Sequence, residues 1–199
     1  MQHGLEHPLA EGLVERCLVP GSFELRHGRL SMEKFDFERL TNSTRNRDKW
    51  LVRRTAKALG SLIAETMPDC GMILTVADGA NPLSEGVARS VSRHQKGRPE
   101  VLARQTQKLE DKTFLIKGGN IHVRDRKIVI VDDVFTAGTN ISLVADTVER
   151  FGGIVLGAAV ILNRNEYRAS TVSRPEGDSP IIQVHSMIQH PIPTFKSEY

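Results

Sequence analysis

Two kinds of apolar spacing share this chain. Short uninterrupted runs, Gly71 to Ala77, Ile128 to Val131, Ile154 to Leu162 and Ile181 to Val184, predict strands buried on both faces. Between them, apolar residues recur three and four apart. Leu9, Leu13, Val14, Cys17 and Leu18 predict an amphipathic helix over about residues 6–19, stopped by Pro20-Gly21. Val52, Ala56, Leu59 and Ile63 predict a long helix from about Thr44 to Met67, capped by Asn42 or Ser43. Leu83, Val87 and Val91 follow Pro82, a residue favoured in a first helical turn, and Ile141, Val144, Ala145 and Val148 give a further helix ending at Gly152-Gly153. From Ser22 to Leu40 the pattern changes: Phe23 and Leu25 alternate with polar residues, Gly28 makes a turn, and Phe35 and Phe37 alternate again, as in a hairpin added to a sheet. Glu100 to Gln105 reads as a short strand, Thr106 to Asn120 as a long polar loop of the kind that forms lids, and Arg168 to Pro180 as a loop. The segment after Gln189 gives no readable pattern.

Alternation of strand and helix from Thr44 onward implies an α/β fold, a mostly parallel twisted sheet flanked by helices. The chain divides into an N-terminal helix and hood, residues 1–40, and a single compact core, residues 41–199. A length of 199 residues suits one domain with an elaboration, and the 39% hydrophobic and 26% charged fractions suit a folded rather than disordered protein. The net charge of +3 fits small polyanionic ligands as well as nucleic acid. Cys17 and Cys70 stand far apart without a CxxC spacing, and the seven histidines form no ligand motif, so neither a disulfide framework nor a zinc site is expected. No apolar core of a signal peptide stands among the first twenty residues, and the nine-residue run Ile154 to Leu162 is too short to span a bilayer. A cytoplasmic protein with no membrane partner is the expectation.

The candidate chemistry centres on Ile128 to Thr139, IVIVDDVFTAGT. Asp132 and Asp133 are expected at the carboxyl end of a strand, where open α/β sheets bind ligands. Thr136, Ala137, Gly138 and Thr139 form a small hydroxylated turn into a helix beginning near Asn140, whose free N–H groups favour a phosphate. In a dinucleotide fold the acid that holds the ribose lies about 20 residues past the glycine loop. Here acids and loop fall within eight residues, which suits a short ligand with a diol and a phosphate, such as a pentose 5-phosphate. No Walker pattern GxxxxGK[ST] occurs.

A hydrophobic run, two acids and a T-A-G-T turn resemble the phosphoribosyl pyrophosphate (PRPP) signature of the type I phosphoribosyltransferases. The pattern F-x-L-x-x-G-x-x-S in Phe23 to Ser31 is similar to the hood of the orotate phosphoribosyltransferases within that family. The resemblance implies a glycosyltransferase (pentosyltransferase) that moves the phosphoribosyl group of PRPP to a nitrogenous base, with orotate as the expected acceptor in pyrimidine nucleotide biosynthesis. Residue by residue, it implies that Asp132 and Asp133 meet the ribose hydroxyls and that Thr136 to Thr139 take the 5-phosphate. Asp78, Gly79 and Ala80 match the pyrophosphate loop, where the family commonly has a lysine or paired glycines. Arg26, Phe35, Thr136 and Arg164 match base-binding positions, although Lys34 replaces a second aromatic and Asn163 an aspartate. Arg104 and Lys108 match a basic catalytic loop, R-K-x-x-K-x-H-G, but Gln105, Glu110 and Asp111 depart from it, and Lys112 or Lys117 is left to supply the missing charge. The resemblance further implies Mg²⁺ bound mainly through PRPP, with no protein metal ligand assigned, and a homodimer in which loop 104–120 reaches the neighbouring site.

Two alternatives stay open: a transferase for another purine or pyrimidine base, and a PRPP-sensing regulator that binds nucleic acid. The second would use Arg45, Lys49, Arg53 and Lys57, which align on one side of the long helix. With no aromatic interleaving them, a solvated face is the expected role and a nucleic-acid partner is not.

Overall fold

The computed structural model describes residues 7–24, 29–111, 113–173 and 180–196. Helix α1 (Ala10–Cys17) leads into a hairpin of β1 (Leu18–Glu24) and β2 (Arg29–Phe35), then a short α2 (Glu38–Thr41) and the long α3 (Asn46–Thr66). The rest alternates: β3 (Met72–Thr75), α4 (Ser84–His94), β4 (Leu102–Lys108), β5 (Phe114–Ile116), β6 (Lys127–Phe135), α5 (Thr139–Arg150), β7 (Ile154–Asn163), β8 (Thr171–Val172), β9 (Ile182–Gln189) and β10 (Thr194–Lys196). Single 3-10 turns at Asn81–Leu83, which carries Pro82, and at Asn120–Val123 precede α4 and β6.

Seven strands form one sheet in the order β5-β4-β3-β6-β7-β9-β8. The run from β4 to β9 pairs in parallel, and the edge strands β5 and β8 are antiparallel. Along β6, Val129 and Val131 join a core with Leu59, Ile63 and Val87 from α3 and α4, whereas Ile128 and Ile130 join a second core with Ile141, Val144 and Val148 from α5. The apolar runs are therefore uninterrupted because each strand must satisfy two cores.

Several boundaries differ from expectation. The first helix ends at Cys17, and β1 continues past Pro20 and Gly21 with a shift in its register against β2 between Pro20 and Phe23, an irregularity that an edge strand tolerates. Phe37 does not continue the hairpin alternation; it is the residue that opens α2 and is fully buried. Neither Asn42 nor Ser43 caps α3. Arg45 is the N-cap residue, and the Ser43 hydroxyl donates instead to Asp48 Oδ2 at 2.6 Å, beside an Arg16–Asp48 ion pair of 2.6 Å that ties α1 to α3. The expected polar loop from Thr106 to Asn120 is largely a hairpin of β4 and β5, with Thr106 opposite Ile116 and Lys108 opposite Phe114. Buried Phe114 and Ile116 flank exposed Leu115, and Asp111 Oδ1 closes the turn on Thr113 N at 3.0 Å. A three-residue strand leaves too short a period-2 signal to read. The expected loop from Arg168 to Pro180 holds β8 on described residues, and the last expected strand runs on to Gln189. Finally, the unreadable C-terminal segment supplies β10, which pairs antiparallel with β2, so the hood is a three-stranded sheet, β1-β2-β10, built from both ends of the chain.

Candidate functional site

Strand β6 continues to Phe135, so Asp132 and Asp133 lie inside it rather than at its end. They nevertheless border a crevice. Neighbouring β3 pairs with β6 only as far as Thr75 opposite Val131, while β7 follows it to Phe135 opposite Asn163. Strand β3 leads outward to β4 on one side and β6 outward to β7 on the other. Between them the winding reverses, which is the place where open sheets leave room for a ligand.

A cavity of about 630 Å³ opens there, within the size of small-molecule sites. Asp132, Asp133, Thr136, Ala137, Gly138 and Thr139 line it from β6 and its turn, Ala77, Asp78 and Gly79 from the loop after β3, Phe35 from the hood, and Arg164 from the end of β7. Gly138 has φ +77°, a left-handed conformation that lets the chain turn directly into α5, and a β-carbon there would collide with Val172 and Phe135. Among the described residues no side chain caps α5, whose first-turn N–H groups remain at the turn as donors for an anion. Asn165 braces this turn: its Nδ2 donates to the Thr136 carbonyl at 2.7 Å, and its Oδ1 accepts from Tyr167 N at 2.9 Å and Ala169 N at 3.1 Å.

The loop after β3 is held just as firmly. Asn81 Oδ1 accepts from the Thr75 hydroxyl at 2.8 Å, and Gln105 Nε2 donates to the Asn81 carbonyl at 3.1 Å and to Ser84 Oγ at 3.3 Å. Gln105, where the orotate family has a basic residue, thus anchors β4 to the turn. Gly79 packs against Asp133: a β-carbon at position 79 would come within 2.5 Å of Asp133 Oδ2. Burial pushes the Asp133 carboxyl above its ordinary range, against the hydrogen bond from Asp132, which favours ionisation.

Arg164 is 3% exposed; its Nη2 donates to Ser31 Oγ at 2.6 Å, and no carboxylate pairs with it among the described residues. Burial lowers the pKa of the guanidinium, with Glu33 acting in the opposite direction. Arg29 Nη2 bridges Glu166 Oε2 at 3.2 Å and the Thr194 carbonyl at 3.0 Å, joining hood, C-terminal strand and β7 loop at the cavity. Among the described residues five buried side-chain polar atoms lack a partner, and Arg29 Nε, Asn140 Oδ1 and Arg164 Nε belong to residues of this cavity wall. Buried polar groups left unmatched are what a site completed by a polar ligand presents.

Not every expected residue gathers here. Ala80 is buried behind the loop and does not line the cavity. Arg104 and Lys108 lie on β4, outside the cavity wall, where Arg104 Nη1 donates to its neighbour's carbonyl, Ala103 O, at 2.8 Å. Arg26 and Lys112 fall outside the described residues. Sequence reasoning missed Arg29, Asn140, Asn165 and Glu166. Arg29 directly follows Gly28, where the sequence predicts a turn, which is a local hint, but the reach of Asn165 across to β6 has no sequence signal.

For a metal, no three His, Cys, Asp or Glu side chains cluster among the described residues. The adjacent Asp132 and Asp133 carboxylates at the cavity fit a hydrated Mg²⁺ that arrives on a phosphorylated ligand, since Mg²⁺ keeps most of its own water and phosphate oxygens.

Comparison with known proteins agrees with this geometry. The sequence matches the phosphoribosyl transferase domain family over residues 51–179. It is 31% identical over 159 residues to an orotate phosphoribosyltransferase of Methanopyrus kandleri, covering 79% of this chain and 78% of that one. An orotate phosphoribosyltransferase structure from Aeropyrum pernix superposes with a TM-score of 0.59 at 22% identity, covering 91% of this chain and 93% of that one. The adenine phosphoribosyltransferase of Leishmania tarentolae superposes at 0.62 with 14% identity, covering 92% and 88%. At such identities the superpositions establish the fold alone, while the sequence matches establish kinship: this chain belongs to the phosphoribosyl transferase domain family and has the type I fold.

Proposed function

We propose that the protein transfers the phosphoribosyl group of PRPP to a ring nitrogen of orotate, releasing pyrophosphate and giving orotidine 5'-phosphate. The observation that carries this reading is the convergence in one cavity of the acid pair, the hydroxylated turn and a buried arginine that has no carboxylate partner among the described residues. The likeness to the Methanopyrus kandleri orotate phosphoribosyltransferase supports orotate as acceptor.

In such a transfer the sugar carbon becomes oxocarbenium-like, as in glycoside chemistry, so the site must position the reactants and absorb charge on the leaving group. Asp132 and Asp133 hold the ribose hydroxyls, and Thr136 to Thr139 with the α5 terminus hold the 5-phosphate. Arg164, which lines the same cavity as Phe35, meets the carboxylate of the base, which a guanidinium can grip through two oxygens. Orotate can arrive as an anion, so no dedicated histidine base is required. Mg²⁺, carried by PRPP, would neutralise the pyrophosphate as it departs.

The cavity wall carries Glu24, Asp36, Glu38, Asp78, Asp132, Asp133 and Glu166 against Arg29, Lys34 and Arg164. A polyanion is repelled by that balance unless cations come with it or from outside. This supports a homodimer in which the β4–β5 hairpin delivers Arg104 and Lys108 to the pyrophosphate of the neighbouring site. The reading places the enzyme in the cytoplasm, in pyrimidine nucleotide biosynthesis.

A second acceptor class is favoured by one observation: Lys34, where the orotate hood carries an aromatic, lines the cavity and pairs with Asp36 at 3.7 Å. Pyrophosphate release from PRPP and Mg²⁺ across orotate, uracil, adenine, guanine and hypoxanthine separates the two. Turnover with orotate alone is expected. Turnover with a purine but not orotate would overturn the acceptor assignment, and none with any base would overturn the activity.

A further inference from the structure

We propose that the solvent face of α3 is a binding surface for single-stranded nucleic acid, independent of the transferase cavity. Along Arg45, Lys49, Arg53 and Lys57 alone no aromatic interleaves the charges. On the folded helix, however, Trp50 stands beside that row and is 54% exposed, with the Arg54 guanidinium 5.5 Å from its ring centroid. At 100° per residue, Lys49, Arg53 and Lys57 fall on one side of Trp50 and Arg54 and Arg47 on the other. All five cations are exposed, and none forms an ion pair among the described residues. The acid within this stretch, Asp48, points the other way, buried and held by Ser43 and Arg16. Glu65 lies roughly 22 Å beyond Trp50 by helical rise. None of the six residues lines the transferase cavity.

Charge complementarity selects the occupant. A second copy of the chain would set this cationic face against itself. A bilayer needs an apolar stripe, and Trp50 is the one large apolar side chain on the face. Successive cations of the Lys49 row are about 6 Å apart along the axis, a step that suits the phosphates of an extended strand. A half-exposed indole with a guanidinium over its ring is a platform on which an unpaired base can stack in place of water. An acidic polypeptide would satisfy the charges but leave that platform unused.

Trp50 is the only tryptophan in the chain, so it reports on its own face. An oligouridylate titrated into the full-length protein at low salt, about 50 mM, should quench its fluorescence. If about three to five phosphates are neutralised, affinity should fall with a log–log salt slope of about −2 to −3.5. In fluorescence anisotropy with labelled oligouridylate, the Arg53→Ala, Arg54→Ala, Lys57→Ala triple variant should bring the slope near −1, and Trp50→Ala should weaken binding about tenfold with the slope kept. Pyrophosphate release by both variants should match the parent, which shows that they fold. Binding that ignores these substitutions, no quenching at low salt, or equal or stronger quenching by polyglutamate or by phosphatidylserine vesicles would overturn the proposal.

Discussion

Asn165 Nδ2 donates to the Thr136 carbonyl at 2.7 Å, so the loop after β7 holds the anion turn after β6 from a distance of 29 residues in sequence. Replacing Asn165 with alanine leaves that carbonyl and the Tyr167 and Ala169 N–H groups without their partner. The Thr136 and Ala169 groups are part-buried and the Tyr167 N–H is exposed, so the loss should fall near the low end of the about 1–3 kcal/mol that an unmatched buried group costs, and part of it should appear as a raised KM for PRPP. Asn165→Asp should be worse than alanine, because a carboxylate would face the carbonyl and repel the phosphate. Calorimetry of PRPP binding checks the order. Equal affinities for parent and both variants would remove Asn165 from the site.

Asp133 is expected to cost stability at neutral pH, while the proposed activity gives it a ribose hydroxyl to hold. Its carboxyl titrates above the ordinary value because burial disfavours the anion. A carboxyl raised in this way contributes stability below its unfolded pKa and loses that contribution as pH rises through the folded value. Asp133→Asn should therefore match the parent's Tm near pH 4, near the reference value for Asp, and exceed it at pH 8. The same variant should lose about 10- to 100-fold in PRPP affinity, the worth of a charged hydrogen bond. Thermal melts at the two pH values read the first effect, and a gap that shrinks with rising pH would contradict it.

Two glycines at the site should fail differently. At Gly138 an added β-carbon meets a left-handed backbone and Val172 Cγ2 at 2.3 Å, so Gly138→Ala should destabilise the fold by about 2–4 kcal/mol. At Gly79 the obstacle is the tip of Asp133, which can swing aside, so Gly79→Ala should fold within about 1 kcal/mol of the parent but bind PRPP poorly. Denaturation midpoints and PRPP titrations on both variants distinguish the cases. A Gly79→Ala protein with full PRPP affinity would sever the link between that loop and the acid pair.

How much of this was readable beforehand follows from the range of each interaction. The parallel sheet was legible because every central strand serves two cores, which forces unbroken apolar runs such as Ile128 to Val131. The acid pair and its turn were legible because their geometry is local, within eight residues. The β4–β5 hairpin was not, because its pairing rests on single buried residues, Thr106, Phe114 and Ile116, among neighbours that are mostly polar or exposed. Nor was β10, whose three residues find β2 across 163 positions, as Thr194 opposite Ser31. Trp50 was visible in the sequence, but its place between two basic rows emerges only when the helix is wound and its buried side is known.

Arg164 offers the sharpest test of the acceptor. Its guanidinium is buried, donates to Ser31 Oγ at 2.6 Å, has an unmatched Nε, and titrates lower because burial disfavours its charge. An unpaired buried cation costs stability, and an apolar side chain of similar length removes that cost. Arg164→Met should keep or raise Tm while KM for orotate rises about 10- to 100-fold, the worth of a charged hydrogen bond. The KM for PRPP should stay near that of the parent, because the proposed function assigns Arg164 to the base and not to the sugar phosphate. Ser31→Ala removes one contact and leaves the guanidinium to turn toward the ligand, so its effect on orotate should be small. If Arg164→Met raised KM for PRPP and orotate together, the arginine would be a structural brace between hood and core, and the carboxylate of the base would have to be held elsewhere.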